Sequence, residues 1–315
     1  MSQFNAQSTT EDVIRGISLR GKYAVVTGAS SGLGVETCRV LAAAGAEVLM
    51  LARDAEKLQD AEQRLREANP AARLRSLTMD LADLDSVRAR AAEIRIDSPD
   101  IHLLINNAGV MACPLARTAQ GFEMQFGTNH LGHFLLTCLL APALLAAAPG
   151  RVVTLSSAGH KFAPVNFEDP AYRERDYDKW QAYGESKTAN SLFTVGLEAR
   201  LGKAGVHAYA VHPGAIMTQL GRHMDEADYE VLMSRAPATK PLAFKTVEQG
   251  AATTVWAATS PSLEGRGGLY LENCNIAEPA TSGGDSGVES YAIDVTEAER
   301  LWALSESLVG QAFRF

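Results

Sequence analysis

Tyr183 and Lys187 are the residues whose types and spacing could do chemistry. They stand four positions apart in the stretch "YGESK", residues 183 to 187. On a helix they would share one face about a turn apart, so the Lys187 ammonium could lie beside the Tyr183 phenol. A nearby positive charge favours the phenolate, and a tyrosine tuned in this way can transfer a proton near neutral pH. The spacing alone also fits an ordinary helix, so the rest of the chain must decide.

The composition is that of an ordinary globular protein of 315 residues, 46% hydrophobic and 21% charged. Such a chain has enough apolar content for one large domain. The formal net charge of −8 argues against a nucleic-acid partner. The four cysteines are widely separated and form no CxxC pair, which favours a reducing compartment over a disulfide framework or a metal site. We therefore expect a cytoplasmic protein without a structural metal.

Two stretches bear on targeting and on the membrane. The N-terminal extension over residues 1–20 lacks the basic start and apolar run of a signal peptide, and its "TTEDVI" predicts a short helix. The most apolar window, residues 131–150, has an uninterrupted apolar part at or below the roughly 18 residues that a membrane span needs. This window favours a buried helix, and we expect no membrane span.

Short apolar runs alternate with helical patterns along most of the chain. This alternation, with strands apolar almost throughout, predicts a single-domain α/β fold over residues 21–315: a doubly wound, Rossmann-type parallel sheet with helices on both faces. A surface loop is expected over 278–290. The predicted strands lie within 23–27, 47–52, 74–80, 101–109, 150–157, 205–214 and 267–273, and the predicted helices at 34–46, 83–95, 119–147, 183–202 and 296–309.

The first predicted strand leads into the glycine-rich turn "TGASSGLG", residues 27–34. Gly28 would let the chain turn, Gly32 would let the backbone approach a pyrophosphate, and Gly34 would allow close helix packing. The start of the following helix would add N–H donors and positive potential. An ordinary strand-to-helix turn is the alternative, but the position in a βαβ unit favours a dinucleotide site.

The end of the second strand, "LMLARD", bears on which dinucleotide binds. A carboxylate there would accept hydrogen bonds from the adenosine ribose, whereas Arg53 offers a fork of donors to a 2′-phosphate. NADP(H) is therefore favoured over NAD(H). In the alternative, Arg53 is a solvated charge, Asp54 binds the ribose and NAD(H) is used.

Several stretches together resemble the short-chain dehydrogenase/reductase family. They occur in the family's order over roughly residues 20 to 260, and the detail of "NNAGVMACP" and "NHLGHFLLT" is most similar to the retinol dehydrogenases, the WW-domain oxidoreductase and related plastid proteins. The stretches are "TGASSGLG", "MDLAD" at 79–83, "NNAG" at 106–109, "NHLGHF" at 129–134, "SS" at 156–157, "YGESK" and "HPGAIMT" at 212–218.

The resemblance implies a role for each matching residue. Ser157 would bind the substrate oxygen, Tyr183 would be the general acid/base, Lys187 would tune it and hold the nicotinamide ribose, and Asn129 would bend its helix and hold a water of a proton relay. The residues implied to contact the cofactor are Gly28, Ser30, Ser31, Gly32, Leu33, Gly34, Arg53, Asp80, Leu81, Asn107, Ala108, Gly109, Tyr183, Lys187, Pro213, Gly214, Ile216 and Thr218.

The implied activity is the interconversion of a small-molecule alcohol and a carbonyl compound, lipophilic or aromatic, as a homodimer or homotetramer. Residues 219–246 resemble the family's substrate-covering segment, with Met224, Tyr229, Leu232 and Met233 on a helix that could equally be a plain surface helix. The aromatic residues of the insertion at 158–182 either wall the substrate pocket or anchor the loop. They are Phe162, Phe167, Tyr172, Tyr177 and Trp180.

Two other functions stay open. A nucleotide-sensing scaffold protein of the same fold with little turnover would be marked by a broken set of catalytic residues, and here all four positions are filled. A dehydratase or epimerase acting on a nucleotide sugar would need a longer C-terminal domain than the residues after Gly250 provide. His160 and His212 flank the site in sequence, but no spacing makes a metal cluster, so we expect both to be structural.

Overall fold

The strands predicted from the apolar runs are present in the computed structural model. The structure describes residues 2–98, 100–234, 244–281 and 286–315, and for 232–234 it describes the backbone only. Each predicted strand has a counterpart in the structure, and the predicted and observed ends agree to within a few residues. The described strands are β1 Tyr23–Thr27, β2 Glu47–Ala52, β3 Arg73–Thr78, β4 Leu103–Asn106, β5 Gly150–Leu155, β6 Val206–His212, β7 Ala215–Ile216, β8 Phe244–Lys245, β9 Leu269–Glu272 and β10 Asn275–Ile276.

The main sheet has the strand order β10-β9-β6-β5-β4-β1-β2-β3. Its strands pair in parallel except at the edge, where β10 runs antiparallel to β9. β1 lies between β2 and β4, so the direction of winding changes between β1 and β4. In open α/β sheets, the crevice at the carboxyl ends of the strands on either side of such a change binds ligands.

The two faces of the sheet carry separate hydrophobic cores because successive strand side chains point to opposite faces. In β1, Val25 packs with one core, whereas Ala24 and Val26 pack with the other. Helices cover both faces, as the prediction of a doubly wound fold requires. The described helices are α1 Thr10–Ile14, α2 Gly32–Ala43, α3 Ala55–Ala68, α4 Leu84–Asp97, α5 Met124–Ala146, α6 Lys179–Leu201, α7 Glu226–Ser234, α8 Val247–Thr259 and α9 Val295–Val309.

Two helix starts differ from prediction because side chains cap them elsewhere. α6 begins four residues before the predicted position 183, since the Asp178 carboxylate accepts the Gln181 N–H at 2.7 Å. α5 begins at Met124 instead of 119, since Glu123 accepts the N–H groups of the first turn. The extra turn before Tyr183 places that residue well inside a rigid helix.

The N-terminal segment packs onto the domain. The predicted short helix is present as α1, and Thr9 and Asp12 cap it reciprocally. Val13 and Ile14 are buried in the core that covers one face of the sheet. The hydroxyl of Thr10 donates a hydrogen bond to the buried Glu36 carboxylate of α2. The segment therefore adds to the packing of the helix that follows the glycine turn.

Helix α5 is long and apolar enough to cross a membrane by length and composition, but 78% of its apolar window is buried inside the protein. It packs as a core helix, as the sequence predicts. The prediction of a surface loop over 278–290 is wrong in part. Val288 is buried in a cluster with Tyr270 and forms a β-bridge with Pro279. Residues 282–285 of that loop lie outside the described residues.

Candidate active site

The glycine turn forms a cradle that side chains would fill. Gly28 has a φ of +68°, and a Cβ on it would lie 2.8 Å from Cα of Ala108. A Cβ on Gly34 would lie 2.2 Å from the Gly28 oxygen. Ser31 precedes α2 without capping it through its side chain, so the first N–H groups of α2 keep no side-chain acceptor there. Such a turn at a helix N-terminus fits the pyrophosphate of a dinucleotide.

The Asn107 side chain joins strand ends instead of projecting into the crevice. Its amide donates to the carbonyl oxygen of Thr27 at 2.8 Å, and its backbone N–H donates to Thr27 Oγ1 at 2.9 Å. Ala108 N–H donates to the same hydroxyl at 3.0 Å. The predicted turn at the end of β4 is present, and the Asn107 side chain holds the glycine turn in place.

The backbone after β6 closes the crevice from the opposite side. Thr218 approaches the glycine turn, because a Cβ on Gly32 would lie 3.4 Å from Thr218 Cγ2. Gly214 has a φ of +97°, and the Lys245 side chain packs where its Cβ would be. Ile216 packs over Gly250 of α8. The segment 213–218 is thus brought next to residues 28–34, as the sequence predicts.

Asp80 and Leu81 lie in the turn that follows β3. Asp80 holds its own turn, since its carboxylate accepts the Ala82 N–H at 2.9 Å and its N–H donates to Ser86 Oγ at 3.1 Å. Leu81 is buried against Gly132, where a Cβ would lie 2.5 Å from the Leu81 oxygen. Both residues therefore have structural contacts that fix the turn.

Arg53 lies exposed directly after β2. The neighbouring Asp54 caps α3 by accepting the Lys57 N–H at 3.1 Å, and its other carboxylate oxygen pairs with Lys57 Nζ at 3.2 Å. Both oxygens of Asp54 are therefore engaged within the helix. Arg53 is the residue of this pair that remains directed to solvent.

Tyr183 and Lys187 share a face of α6, as predicted, and both are buried. Lys187 Nζ lies 5.6 Å from the centre of the Tyr183 ring and donates to the Leu155 carbonyl oxygen at 3.0 Å. The ring contacts Gly159, where a Cβ would lie 2.6 Å from Tyr183 Cε1. Gly159 therefore fixes the tyrosine, and any side chain at 159 would displace it.

Ser157 lies beside Tyr183, since a Cβ on Gly159 would be 3.4 Å from the Ser157 hydroxyl oxygen and 2.6 Å from Tyr183 Cε1. Its Oγ also accepts the Gly159 N–H at 3.0 Å. Ser156 differs, since its hydroxyl donates to the Lys187 carbonyl oxygen at 2.9 Å and lies next to Ser191. The second serine of the pair faces the tyrosine, as predicted, and the first ties β5 to α6.

The ionisation of Tyr183 differs from the expectation. Burial raises the pKa of Tyr183 to about 12, with the Ser157 hydrogen bond opposing that rise. Burial also lowers the pKa of Lys187 to about 7. The lysine is then only partly charged at neutral pH, so it gives the phenolate less support than a full ammonium would. In this structure, Tyr183 is therefore a protonated acid near neutral pH.

Asn129 lies in a π-helical segment, Gly127–Leu131, inside α5. Its side-chain oxygen accepts the Val110 N–H at 2.8 Å, and its amide donates to the Val110 oxygen at 2.9 Å and to Ser186 Oγ at 3.0 Å. The π segment makes the helix irregular at Asn129, where the sequence predicts a bend. The side chain therefore links the "NNAG" turn to α6. The predicted role of holding a water would then fall to the backbone carbonyl of Asn129, and His133 Nδ1 lies 2.9 Å from that oxygen.

Most aromatic residues of the insertion anchor it. The Tyr177 hydroxyl donates to the Cys113 oxygen at 2.9 Å and accepts from Gln125 at 3.0 Å. Tyr172 is buried under the Arg175 guanidinium, 3.6 Å from its ring centre. These contacts favour the anchoring interpretation for both tyrosines.

The remaining aromatic residues divide in the same way. Phe167 is covered by the Arg300 guanidinium at 4.2 Å, away from Tyr183. Phe162 packs edge-on against Trp180 at 6.1 Å between ring centres, and Phe162 also contacts the position of Gly184, one residue after Tyr183. Phe162 and Trp180 thus stay candidates for the pocket wall.

The substrate-covering segment 219–246 is described only in part, since 235–243 lie outside the described residues and the side chains of Leu232 and Met233 are not described. Helix α7 is attached to the start of α6, where Lys179 Nζ pairs with the buried Asp228 at 2.5 Å. Met217 is 62% exposed and Tyr229 is 36% exposed. Met217 lies just before this segment, and Tyr229 lies within it.

Sequence reasoning missed the part that three histidines take in the site. His133 accepts from the Thr27 hydroxyl at 2.9 Å and thereby connects the glycine turn with Asn129. His160 and His212 both contact the backbone next to Ser157. Histidines do stand in the stretches "NHLGHF", "SSAGHKF" and "VHPG". Because no spacing makes a metal cluster, His160 and His212 are interpreted from the sequence as structural residues only.

Comparison with known proteins agrees with this geometry. A family model described as short chain dehydrogenase matches residues 22–228. Short-chain dehydrogenase/reductase prx1 of Penicillium rubens is 42% identical over 294 residues, covering 91% of this chain and 85% of that protein. Retinol dehydrogenase 14 of Mus musculus is 40% identical over 305 residues, covering 93% of this chain and 87% of that protein.

Solved structures share the fold. An uncharacterized protein from Mycobacterium paratuberculosis superposes with a TM-score of 0.75 at 36% identity, covering 96% of this chain and 98% of that one. Pseudomonas aeruginosa RhlG, in an NADP active-site complex, has a TM-score of 0.64 at 25% identity, covering 81% and 95%. The family match and the sequence relatives show, in agreement with the assembled crevice, that this chain belongs to the short-chain dehydrogenase family and is an oxidoreductase of that family.

Proposed function

We propose that the protein is an NADP(H)-dependent oxidoreductase that interconverts a lipophilic or aromatic alcohol and the corresponding aldehyde or ketone, with Tyr183 as general acid/base. The observation that carries the proposal is that the Ser157 hydroxyl and the buried Tyr183 ring meet at Gly159, where a Cβ would lie 3.4 Å from Ser157 Oγ and 2.6 Å from Tyr183 Cε1. Two neighbouring hydroxyls can bind one substrate oxygen between them and move a proton to or from it. Lys187, one turn along the same helix, adjusts the charge at this point.

The residues that would hold the cofactor line the crevice at the β1–β4 change of direction. The glycine turn and the start of α2 would bind the pyrophosphate, and Lys187 would hold the nicotinamide ribose. The segment 213–218 would contact the nicotinamide. When bound, the cofactor supplies or accepts the hydride, and its oxidised ring carries a positive charge that favours the Tyr183 phenolate.

Each catalytic side chain has one task. The Ser157 hydroxyl binds and orients the carbonyl or alkoxide oxygen. The Tyr183 phenol donates its proton to that oxygen during reduction and takes it back during oxidation. Because burial raises the pKa of Tyr183 to about 12, the residue is ready to act as an acid at neutral pH. Asn129 holds the "NNAG" turn and α6 in register around this pair.

NADP(H) is preferred because of the charges after β2. Asp54 is committed to capping α3, which leaves Arg53 as the free polar group at the adenosine ribose. A guanidinium there would pair with a 2′-phosphate. RhlG, a structural relative, has been solved with NADP, which supports the same choice.

A lipophilic substrate is supported by the side chains at the mouth of the crevice. Leu115 is 47% exposed, Met217 62% and Phe244 46%; Leu115 and Met217 follow the carboxyl ends of β4 and β6, and Phe244 belongs to β8, which pairs with β7 just after β6. Exposed apolar side chains at one edge of a sheet favour an apolar ligand. The name of the relative retinol dehydrogenase 14 supports the same substrate class. We also propose a cytoplasmic location, supported by four cysteines that are all free and buried.

A panel assay tests the proposal. Oxidation of NADPH and of NADH would be followed with decanal, benzaldehyde, cyclohexanone and acetone, and reduction of NADP+ and NAD+ with the matching alcohols. We expect turnover with NADPH, faster for decanal or benzaldehyde than for acetone. Tight binding of NADPH with no turnover on any compound of the panel would instead favour the nucleotide-sensing scaffold.

A further inference from the structure

The peptide group between Ser157 and Ala158 is hydrogen-bonded at both ends by imidazole rings. His160 Nδ1 lies 2.7 Å from the carbonyl oxygen of Ser157. The N–H of Ala158 donates to His212 Nδ1 at 3.1 Å. These two atoms belong to one planar peptide, and the rings reach it from different elements, the turn after β5 and the last residue of β6.

The two rings must carry opposite tautomers. A carbonyl oxygen only accepts, so His160 has its proton on Nδ1, and its Nε2 accepts the Glu289 N–H at 3.1 Å. An amide N–H only donates, so His212 has a bare Nδ1, which the Gly214 N–H also approaches at 3.4 Å. Burial lowers the pKa of His160 to about 4 and that of His212 to about 3, which keeps both rings neutral near pH 7.

We propose that His160 and His212 are positioning residues that set the direction of the Ser157 hydroxyl by holding the peptide that follows it at both ends. The inference rests on the proposed function, in which Ser157 binds the substrate oxygen. Holding the peptide plane fixes ψ of Ser157, which is 159°. The Gly159 N–H then holds Oγ at 3.0 Å, so backbone and side chain of the serine are both constrained.

The arrangement connects the serine with distant parts of the chain. His160 is fully buried, and its carbonyl oxygen accepts hydrogen bonds from Thr188 of α6 at 3.0 Å and from the Tyr291 hydroxyl at 2.8 Å. The Tyr270 hydroxyl lies 3.2 Å from His160 Nδ1. His212 is followed directly by the segment that would contact nicotinamide. His160 is thus tied to the tyrosine helix through its backbone carbonyl, and His212 leads into the cofactor side of the crevice.

Paired substitutions at His160 separate positioning from packing. An asparagine amide reaches the place of Nδ1 and can still donate to the Ser157 oxygen, whereas a glutamine amide reaches the place of Nε2 and keeps only the Glu289 contact. We expect His160→Asn to keep kcat for decanal within about threefold, and His160→Gln to lower it about tenfold or more, as small misplacements of reacting groups do. The dissociation constant for NADPH, measured by fluorescence, and the melting temperature should be similar in both variants.

The other end of the peptide gives an independent pair. His212→Asn keeps an acceptor at the place of Nδ1, and His212→Leu removes it at similar volume. We expect the Leu variant to lose about tenfold or more in kcat relative to the Asn variant. If His160→Gln does not fold, this pair carries the test. Equal kcat within each pair, or losses that simply follow the melting temperature, would overturn the inference.

Ser157→Ala, measured in parallel, separates this inference from the proposed function. If Ser157→Ala retains turnover, the proposed function fails. If Ser157→Ala loses turnover but His160→Gln matches His160→Asn, only the positioning role is overturned. In the double variant Ser157→Ala/His160→Gln, we expect no further loss beyond Ser157→Ala, because both changes act on the same hydroxyl. A fully additive loss would contradict the positioning role.

Discussion

Lys187 Nζ donates a hydrogen bond to the carbonyl oxygen of Leu155, 3.0 Å away. A backbone carbonyl satisfies one N–H but brings no negative charge, so the buried ammonium remains poorly compensated. This is why burial lowers the pKa of Lys187 to about 7. The bond also fixes where the amine lies, between the end of β5 and the Tyr183 ring.

The lowered pKa predicts how stability depends on pH. Between about 7 and the ordinary lysine value near 10.5, the unfolded chain binds the proton and the folded protein does not, so the free energy of unfolding should rise with pH through this window. The contribution should be absent in Lys187→Met. Urea unfolding of both proteins at several pH values from 7 to 10 measures the difference. Parallel curves would show that Lys187 keeps an ordinary pKa.

Replacing Tyr183 by phenylalanine tests the proton transfer itself. Tyr183→Phe keeps the ring that packs on Gly159 and removes the hydroxyl, so kcat should fall about 100-fold or more, the usual contribution of a general acid. NADPH binding and the melting temperature should change little. Tyr209→Phe, which alters a buried hydroxyl bonded to the Leu263 oxygen far along the sheet, is the matched control and should retain kcat. Near-normal turnover of Tyr183→Phe would remove this residue from the mechanism.

Arg53 should select the cofactor. If its guanidinium pairs with the 2′-phosphate, Arg53→Ala should weaken NADPH binding by about 1.5–3 kcal/mol, the typical strength of a charge-assisted hydrogen bond, and leave NADH almost unaffected. Titration of both nucleotides measures this. Arg64→Ala, on the exposed side of α3, controls for the loss of one positive charge. Equal weakening of both nucleotides, or of neither, would reject the assignment.

The insertion should contain residues of two kinds. Phe162→Ala should lower kcat/KM for decanal at least severalfold more than for acetone, because burial of apolar surface against a large substrate is worth about 1–3 kcal/mol. Tyr177→Phe removes the hydroxyl that bonds Cys113 and Gln125, so it should lower the melting temperature and affect both substrates alike. The two kcat/KM ratios and the two melting curves give the comparison. A uniform loss in Phe162→Ala would assign that residue to anchoring as well.

Much of the fold could be predicted because strands buried on both faces are apolar almost throughout. β1 and β2 begin and end where "YAVVT" and "EVLMLA" do. Helices α3 and α8 were missed, although Asp54 before the first and the Thr246–Gln249 capping box before the second mark their starts. α3 is a polar surface helix, whereas α8 is buried from Gly250 to Ala258 and is rich in alanine and threonine, so neither gives as clear a pattern as an apolar strand.

The site could be predicted as a set of residues but not as a set of contacts. The positions of Tyr183, Ser157 and the glycine turn follow from motif order. The pKa direction of Tyr183 depends on how completely Lys187 is desolvated, which no spacing reveals. The side-chain partners of Asn129 and the engagement of Tyr177 likewise come from segments far away in sequence.

The strand order also affects how the chain can fold during its synthesis. β1 pairs with β4 through Ala24 and Leu103, so one edge of β1 stays open until a further stretch of chain has left the ribosome. The nucleotide cradle needs still more, since Gly28 packs on Ala108 and Gly32 faces Thr218. Strand pairings and contacts between residues this far apart in sequence form slowly, and the partly folded intermediates expose hydrophobic surface that is prone to aggregate. A nascent chain that ends before Thr218 would still lack β9, so β6 would have an unpaired edge, and the nucleotide site would be incomplete.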